Sequence, residues 1–297
     1  MDLDAGTITF YKNGSSQGVA YTGISSSYSY HFCSFCRGAS DSVLWNFGQT
    51  PFAISSVPTG HLTVCTQNLD DPTIKDGSTA MDVSLWTGNG TSQTISGLNH
   101  SPDLVWSKAR SFGADHEIYD TVRGAGKRLY TSLTNAESSP STSVNSFTSD
   151  GFTVTGGGGV NNNNATYVGW TFDAGSSTVS NTDGTITSQV RANPSAGFSI
   201  VSYTGNGTAG ATVGHGLSAA PELIIQKNLT DAQHWPVYAK PEGATKTLSL
   251  NLTHATHDAT SFNYYNSTEP TSSVFSLGNL NHVNASGKNY ILSLIHI

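Results

Sequence analysis

SLWTGNGTSQTISGLNHSPDLVWSK, residues 84–108, returns as VSYTGNGTAGATVGHGLSAAPELIIQK, residues 201–227. Trp86 falls on Tyr203, and Thr87, Gly88, Asn89 and Gly90 fall on Thr204, Gly205, Asn206 and Gly207. Pro102, Leu104 and Lys108 match Pro221, Leu223 and Lys227. Downstream, HEIYDTVRGAGKRLYTSLTNA parallels WPVYAKPEGATKTLSLNLTHA, with Tyr119 on Tyr238. The spacing drifts from 117 to 119 residues over this part, which is too long for a solenoid unit and means two copies of a whole domain. Each copy offers seven or eight strand-length apolar runs separated by Gly, Asn or Pro, the pattern of an antiparallel β-sandwich or jelly roll. No segment longer than a turn carries helical periodicity.

GFTVTGGGGVNNNNATYVGWTF, residues 151–172, shows the grammar within a copy. Two strands, FTVT and ATYVGWTF, flank a Gly/Asn run expected as a surface loop with almost no side-chain core of its own. Phe152 and Tyr167 recur as Phe275 and Tyr290, now at a spacing of 123. After Tyr167 the first copy continues VGWTFDAG, whereas Tyr290 is followed by Ile291 and then LSLIHI, residues 292–297. That hexapeptide reads as the in-frame translation of a transposase sequencing adapter, and 292–297 are expected to be such a tail. The rival expectation is a genuine closing strand, which belongs there by alignment.

The totals agree with an all-β chain. Of 297 residues, 11% are charged, 31 are Gly, and Ser plus Thr supply roughly a quarter, well above the average for globular proteins. A formal net charge of −7 and the lack of a basic stripe argue against a nucleic-acid partner and an anionic membrane surface. No run of 18 apolar residues suggests a membrane span, and MDLDAGTITF does not read as a signal peptide. Cys33, Cys36 and Cys65 give no disulfide framework, and a single C-x-x-C without a second pair is expected to be half-buried strand cysteines rather than a zinc site. No cofactor is expected.

At the amino end, TITFYK and GVAYTG flank Asn13 and Gly14, the dipeptide that best signals a two-residue hairpin. DSVLWNFGQTPF then places Val43, Trp45 and Phe47 on one face of a further strand. This order, GTITFYKNG, GVAY and WNFGQTPF, resembles the second half of a SPRY domain over about residues 1–54. The resemblance implies a concanavalin A-like β-sandwich used for binding, here without its N-terminal strands. The expected organisation is therefore a partial SPRY-like module (1–67), a linker (68–80), repeat A (81–190), repeat B (191–291) and the tail 292–297.

Constellations that could carry chemistry are weak. His254 and His257 in HATHD lack a third ligand and read as a solvated loop. Asp115, Glu117 and Asp120 in DHEIYD offer carboxylates, but glycoside hydrolysis needs two at a fixed separation across a substrate. TGGGGVNNNN is no phosphate loop, because no Lys-Ser/Thr follows and no helix is expected after it. Asn-x-Ser/Thr with x other than Pro occurs nine times, at a frequency this composition produces by itself. The better binding candidates are aromatic. Tyr264 and Tyr265 are consecutive, so on a strand one must face outward, and His234 with Trp235 presents the same choice. Such rings could stack on sugar faces, although single exposed aromatics are ordinary on any surface, and that blander reading weighs more.

A SPRY-like half-module followed by two long repeats bearing TGNG, SPDLVWSK and YDTVRGAGK resembles bacteriophage tail-fibre or tail-appendage proteins. The resemblance implies a virion protein with no enzymatic step. Its implied partners are a host cell-surface glycan or protein and other tail proteins, with a homo-oligomer as a possible assembly. The alternative is a secreted bacterial carbohydrate-binding or adhesion protein built from the same modules.

Overall fold

A computed structural model describes residues 1–31, 33, 38, 42–47, 74–258 and 262–295. The chain divides into two compact units, Met1–Pro72 and Thr73–Ile297. Among the described residues the secondary structure is antiparallel β, with one single-turn α-helix and a 3-10 turn. No helix among them is long and apolar enough to cross a membrane.

In the first unit, β1 (Thr7–Lys12) and β2 (Ser15–Thr22) form the expected hairpin. Asn13 and Gly14 both take positive φ, 50° and 81°. A type I′ turn needs that, because its backbone twist matches that of the two strands. Residues 42–47 are not in a strand as described, although the rings of Trp45 and Phe47 stack at 5.7 Å. Cys36 and Cys65 lie outside the described residues.

The second unit contains both repeats, each a sandwich of one larger and one smaller sheet. In repeat A the larger sheet runs β3 (Met81–Thr87), β10 (Thr166–Phe172), β5 (Leu104–Ala109), β6 (Glu117–Asp120) and β7 (Leu129–Tyr130). It faces a smaller sheet of β4 (Ser92–Ser96), β9 (Gly151–Thr155) and β8 (Val144–Thr148). Trp86, Val105, Tyr119, Phe152, Val154 and Tyr167 fill the space between the two.

Repeat B uses the same plan with more strands. Its larger sheet runs from β11 (Val179–Asn181) and β12 (Ser188–Asn193) through β13 (Phe198–Thr204), β20 (Asn289–Ile295) and β15 (Leu223–Asn228) to β16 (Pro236–Ala239), β17 (Lys246–Ser249) and β18 (His257–Asp258). The smaller sheet is β14 (Ala211–Gly214) with β19 (Val274–Leu277). The boundary expected at 190/191 falls inside β12, since this strand pairs with β13 and belongs to the second sandwich.

The larger sheets of the two repeats also bury their other faces. Leu104, Ile118 and Leu129 of A pack with Phe198, Ile200, Trp235 and Ile291 of B in a separate apolar cluster. Phe172 stacks on Phe198 at 4.9 Å. The strand alternation shows this double burial: Val201 and Tyr203 of β13 enter the core of B, while Phe198 and Ile200 enter the cluster between repeats. Four sheets are thus layered in one unit.

Residues 292–295, the start of the expected adapter tail, are the second half of β20. They pair with β13 on one side and β15 on the other, and Leu292 and Leu294 are fully buried. The geometry is that of the rival expectation, a closing strand. A strand covered on both faces takes a near-continuous apolar run, and residues 292–295 supply one.

The Gly/Asn run differs from the expected bare loop. A single helical turn, α1 (Gly158–Asn161), forms within it, and Val160 and Asn161 are fully buried in repeat A. Gly159 allows this approach, because a Cβ there would lie 2.1 Å from Oε1 of Glu117.

Candidate functional site

The polar residues common to both repeats hold the fold together. In repeat A the Asn161 side chain accepts the Asn89 backbone N–H at 3.1 Å and donates to Asn89 Oδ1 and Thr91 O at 3.0 Å each. Repeat B copies this: Asn284 accepts the Asn206 N–H at 2.9 Å and donates to Asn206 Oδ1 and Thr208 O. A tyrosine hydroxyl locks the same loop. Tyr167 accepts the Asn162 N–H and donates to Gly158 O, as Tyr290 accepts the Ala285 N–H and donates to Asn281 O. The TGNG motif is therefore a clasp, and Asn284 is fully buried despite lying in an Asn-x-Ser sequence. Sequence comparison aligned the two TGNG motifs but missed their Asn161 and Asn284 partners, although the spacing of 123 that joins Tyr167 to Tyr290 joins these as well.

Of the four aromatic or imidazole side chains that the sequence offers as candidate ligand platforms, three are buried. Trp235 is 3% exposed, and its indole N–H is shared between the carbonyls of Tyr130 and Leu133 of repeat A, at 3.0 and 3.1 Å. It anchors one repeat to the other. Tyr264 and Tyr265 precede a turn in which Asn266 and Ser267 take positive φ, so they occupy a bend and not a strand. Alternation does not apply there, and both rings turn inward; Tyr265 meets Tyr238 edge-on at 5.7 Å. Burial pushes the Tyr264 hydroxyl up to about 12. His234 is half-buried, 3.0 Å from the Asn251 side chain and stacked over His282 at 6.3 Å. Burial, with the neighbouring His234, pushes His282 down to about 4. These four residues do not form an open platform.

The carboxylates of DHEIYD separate. Glu117 points into repeat A, where it accepts the Tyr119 hydroxyl at 2.5 Å and lies 3.6 Å from Arg128; burial raises its carboxyl. Asp120 has the opposite parity on β6 and binds Arg123 at 2.5 Å. Asp115 accepts from Ser132 at 2.9 Å. They do not face one substrate position. His254 and His257 approach to 3.1 Å, and among the described residues no group of three or more His, Cys, Asp or Glu is placed to hold a metal.

Among the described residues, one open concavity that combines both repeats is a cleft of about 450 Å³ with a largely polar lining; a second, between Met81 and Phe172 of repeat A and Phe198 and Ile295 of repeat B, is apolar. The floor of the polar cleft is the part of the repeat B sheet that extends past the cover of repeat A. Gln189 of β12 and Ser202 of β13 are direct cross-strand partners, Thr187 and Thr204 flank them, and Asn289 of β20 lies opposite Thr204. The wall is the segment of repeat A after β6, with Val122, Arg123, Lys127 and Glu137, joined by Leu229 of repeat B. The Arg123 guanidinium is held on three sides, by Asp120, by Glu137 at 3.2 Å and by the Ile118 carbonyl at 3.2 Å. Lys127 stands 3.5 Å from Glu137, and the Glu137 backbone N–H donates to Leu229 O, joining the two repeats within the wall. Opposite charges in the wall thus neutralise one another, while the floor presents uncharged hydroxyls and amides. Tyr203 and Tyr290 stack behind it at 5.1 Å.

A family model described as a domain of unknown function (DUF7483) matches residues 76–294, spanning both repeats. No curated protein and no solved structure matches the chain.

Proposed function

We propose that this chain, which belongs to the DUF7483 family, is a non-enzymatic virion protein of a bacteriophage tail fibre or appendage that engages the host surface through the cleft between its repeats. One observation carries the reading: the polar residues repeated in both sandwiches are consumed in clasping loops, whereas open polar side chains gather where the two repeats meet. A module of that kind fixes the position of a recognition surface. The SPRY-like hairpin of the first unit and the phage-like repeat motifs support the same assignment, since both belong to binding proteins in the families they resemble.

Antibodies raised against the chain test this by immunogold labelling of particles from the source material. Gold confined to tails or baseplates is the expected result. Gold on bacterial envelopes, with none on virus particles, moves the protein to the secreted adhesion class and overturns the virion assignment.

A further inference from the structure

We propose that the cleft binds a saccharide, with Gln189 and Ser202 as its central contacts; this rests on the reading of the chain as a surface-binding module. The floor decides the ligand chemistry. Gln189 and Ser202 face each other across two paired strands, with Thr187 and Thr204 at the next position along the sheet. Directly opposed strand residues place their Cβ atoms about 4.5–5.5 Å apart, so the floor is a small array of groups that can both donate and accept hydrogen bonds. A sugar ring offers matching chemistry, because each hydroxyl is also donor and acceptor. Leu229 and Val122 at the margin give its C–H surface an apolar contact. The volume lies within the roughly 300–1,000 Å³ typical of small-molecule sites.

Other ligand classes fit less well. A phosphate or other anion would compete with Asp120 and Glu137 for Arg123, whose side chain is only 3% exposed. An extended peptide binds most readily by adding a strand to a free edge. Here β13 is paired on one side with β12 and on the other with β20, so the floor offers side chains and no free main chain.

The test uses the full chain, with methyl glycosides of neutral hexoses, N-acetylhexosamines and uronic acids as probes in ligand-observed NMR, followed by titration. One class is expected to bind, and Gln189→Ala and Ser202→Tyr are each expected to weaken it at least about tenfold with the urea midpoint unchanged. Two variants, one removing a contact and one filling the cleft, guard against a folding defect in either. No binding to any probe, or binding that survives both substitutions, overturns the proposal. Binding to host cells separates this from the broader reading. Cell binding that Ser202→Tyr leaves intact sinks the saccharide site but keeps a surface-binding module, whereas a saccharide titration with no cell binding keeps the site and removes the module's proposed role.

Discussion

At the scale of single residues, the most informative side chains are buried amides and one buried lysine. Asn284 accepts the Asn206 N–H, and the two hydrogens of its amide are shared among Asn206 Oδ1, Thr208 O and Gly278 O. Asn284→Ala should lower stability by about 2–4 kcal/mol, since several buried backbone groups lose their partner at once. Urea unfolding checks this, and Asn161→Ala should act in the same direction because it shares the contacts to the TGNG loop, with Gln93 as an added donor in place of the bond to Gly278. Lys227 is fully buried, with its ammonium bound to the carbonyls of Asn228 and Thr134, and burial pushes it down to about 8. An unfolded lysine titrates near 10.4. Between about pH 8 and 10 the unfolded chain therefore holds a proton that the folded chain has released, so stability at this site rises with pH. Relative to a Lys227→Met variant, the native chain should gain about 1.5 kcal/mol between pH 8 and 9.5, read from paired urea midpoints. A flat difference would show that the ammonium is as well solvated in the fold as outside it. None of this was legible in the sequence. Lys108 and Lys227 align as equals, yet only repeat packing buries the second.

At the scale of elements, the strands were largely legible because each carries its own alternation and ends at its own turn residue. The Asn13–Gly14 hairpin and the match of β3, β5 and β10 with β13, β15 and β20 are local facts. Short loops were less legible, since residues such as Tyr264 and Tyr265 follow strand alternation only if a strand forms. The central strands also record a compensation between copies. Gly169 of β10 lies under the Trp86 ring, where a Cβ would stand 3.1 Å from it. In repeat B the smaller Tyr203 replaces Trp86, and Leu292 of β20 stands where Gly169 stood. Gly169→Leu should therefore overpack repeat A and cost at least about 1–3 kcal/mol. Adding Trp86→Tyr should recover most of that loss, although the Trp86 indole N–H to Val160 O is traded for a tyrosine hydroxyl, as at Tyr203 and Val283. A double-mutant cycle of unfolding midpoints measures the coupling. Additive losses would mean that the two copies are packed on different principles despite their shared register.

At the scale of the whole second unit, the two sandwiches cohere through a face that neither would bury alone. Sequence periodicity showed two domains but not their stacking, because a strand covered on both faces and a strand in a large core look alike. For the same reason the cleft was invisible: Gln189, Ser202 and Lys127 lie far apart in the chain and converge only once the sheets are layered. Besides the apolar cluster, the junction holds Arg191 against Asp103 at 2.6 Å, with Asp103 also accepting from Thr121 and the Ala174 N–H. Trp235 fills it from the other side. Such a junction should make the repeats unfold together, as one calorimetric transition of residues 73–297. Trp235→Ala removes a large buried side chain and leaves the carbonyls of Tyr130 and Leu133 without their donor, at a cost of about 3–5 kcal/mol. That loss falls on the junction and not on either sandwich core. The single transition should then split, with one sandwich melting before the other, and the floor and wall of the cleft should separate as it does. If the variant instead melts in one transition at a lower temperature, Trp235 serves the core of repeat B more than the junction. Cooperativity would then rest on the Asp103 and Arg191 pair, which Asp103→Ala would expose by the same measurement.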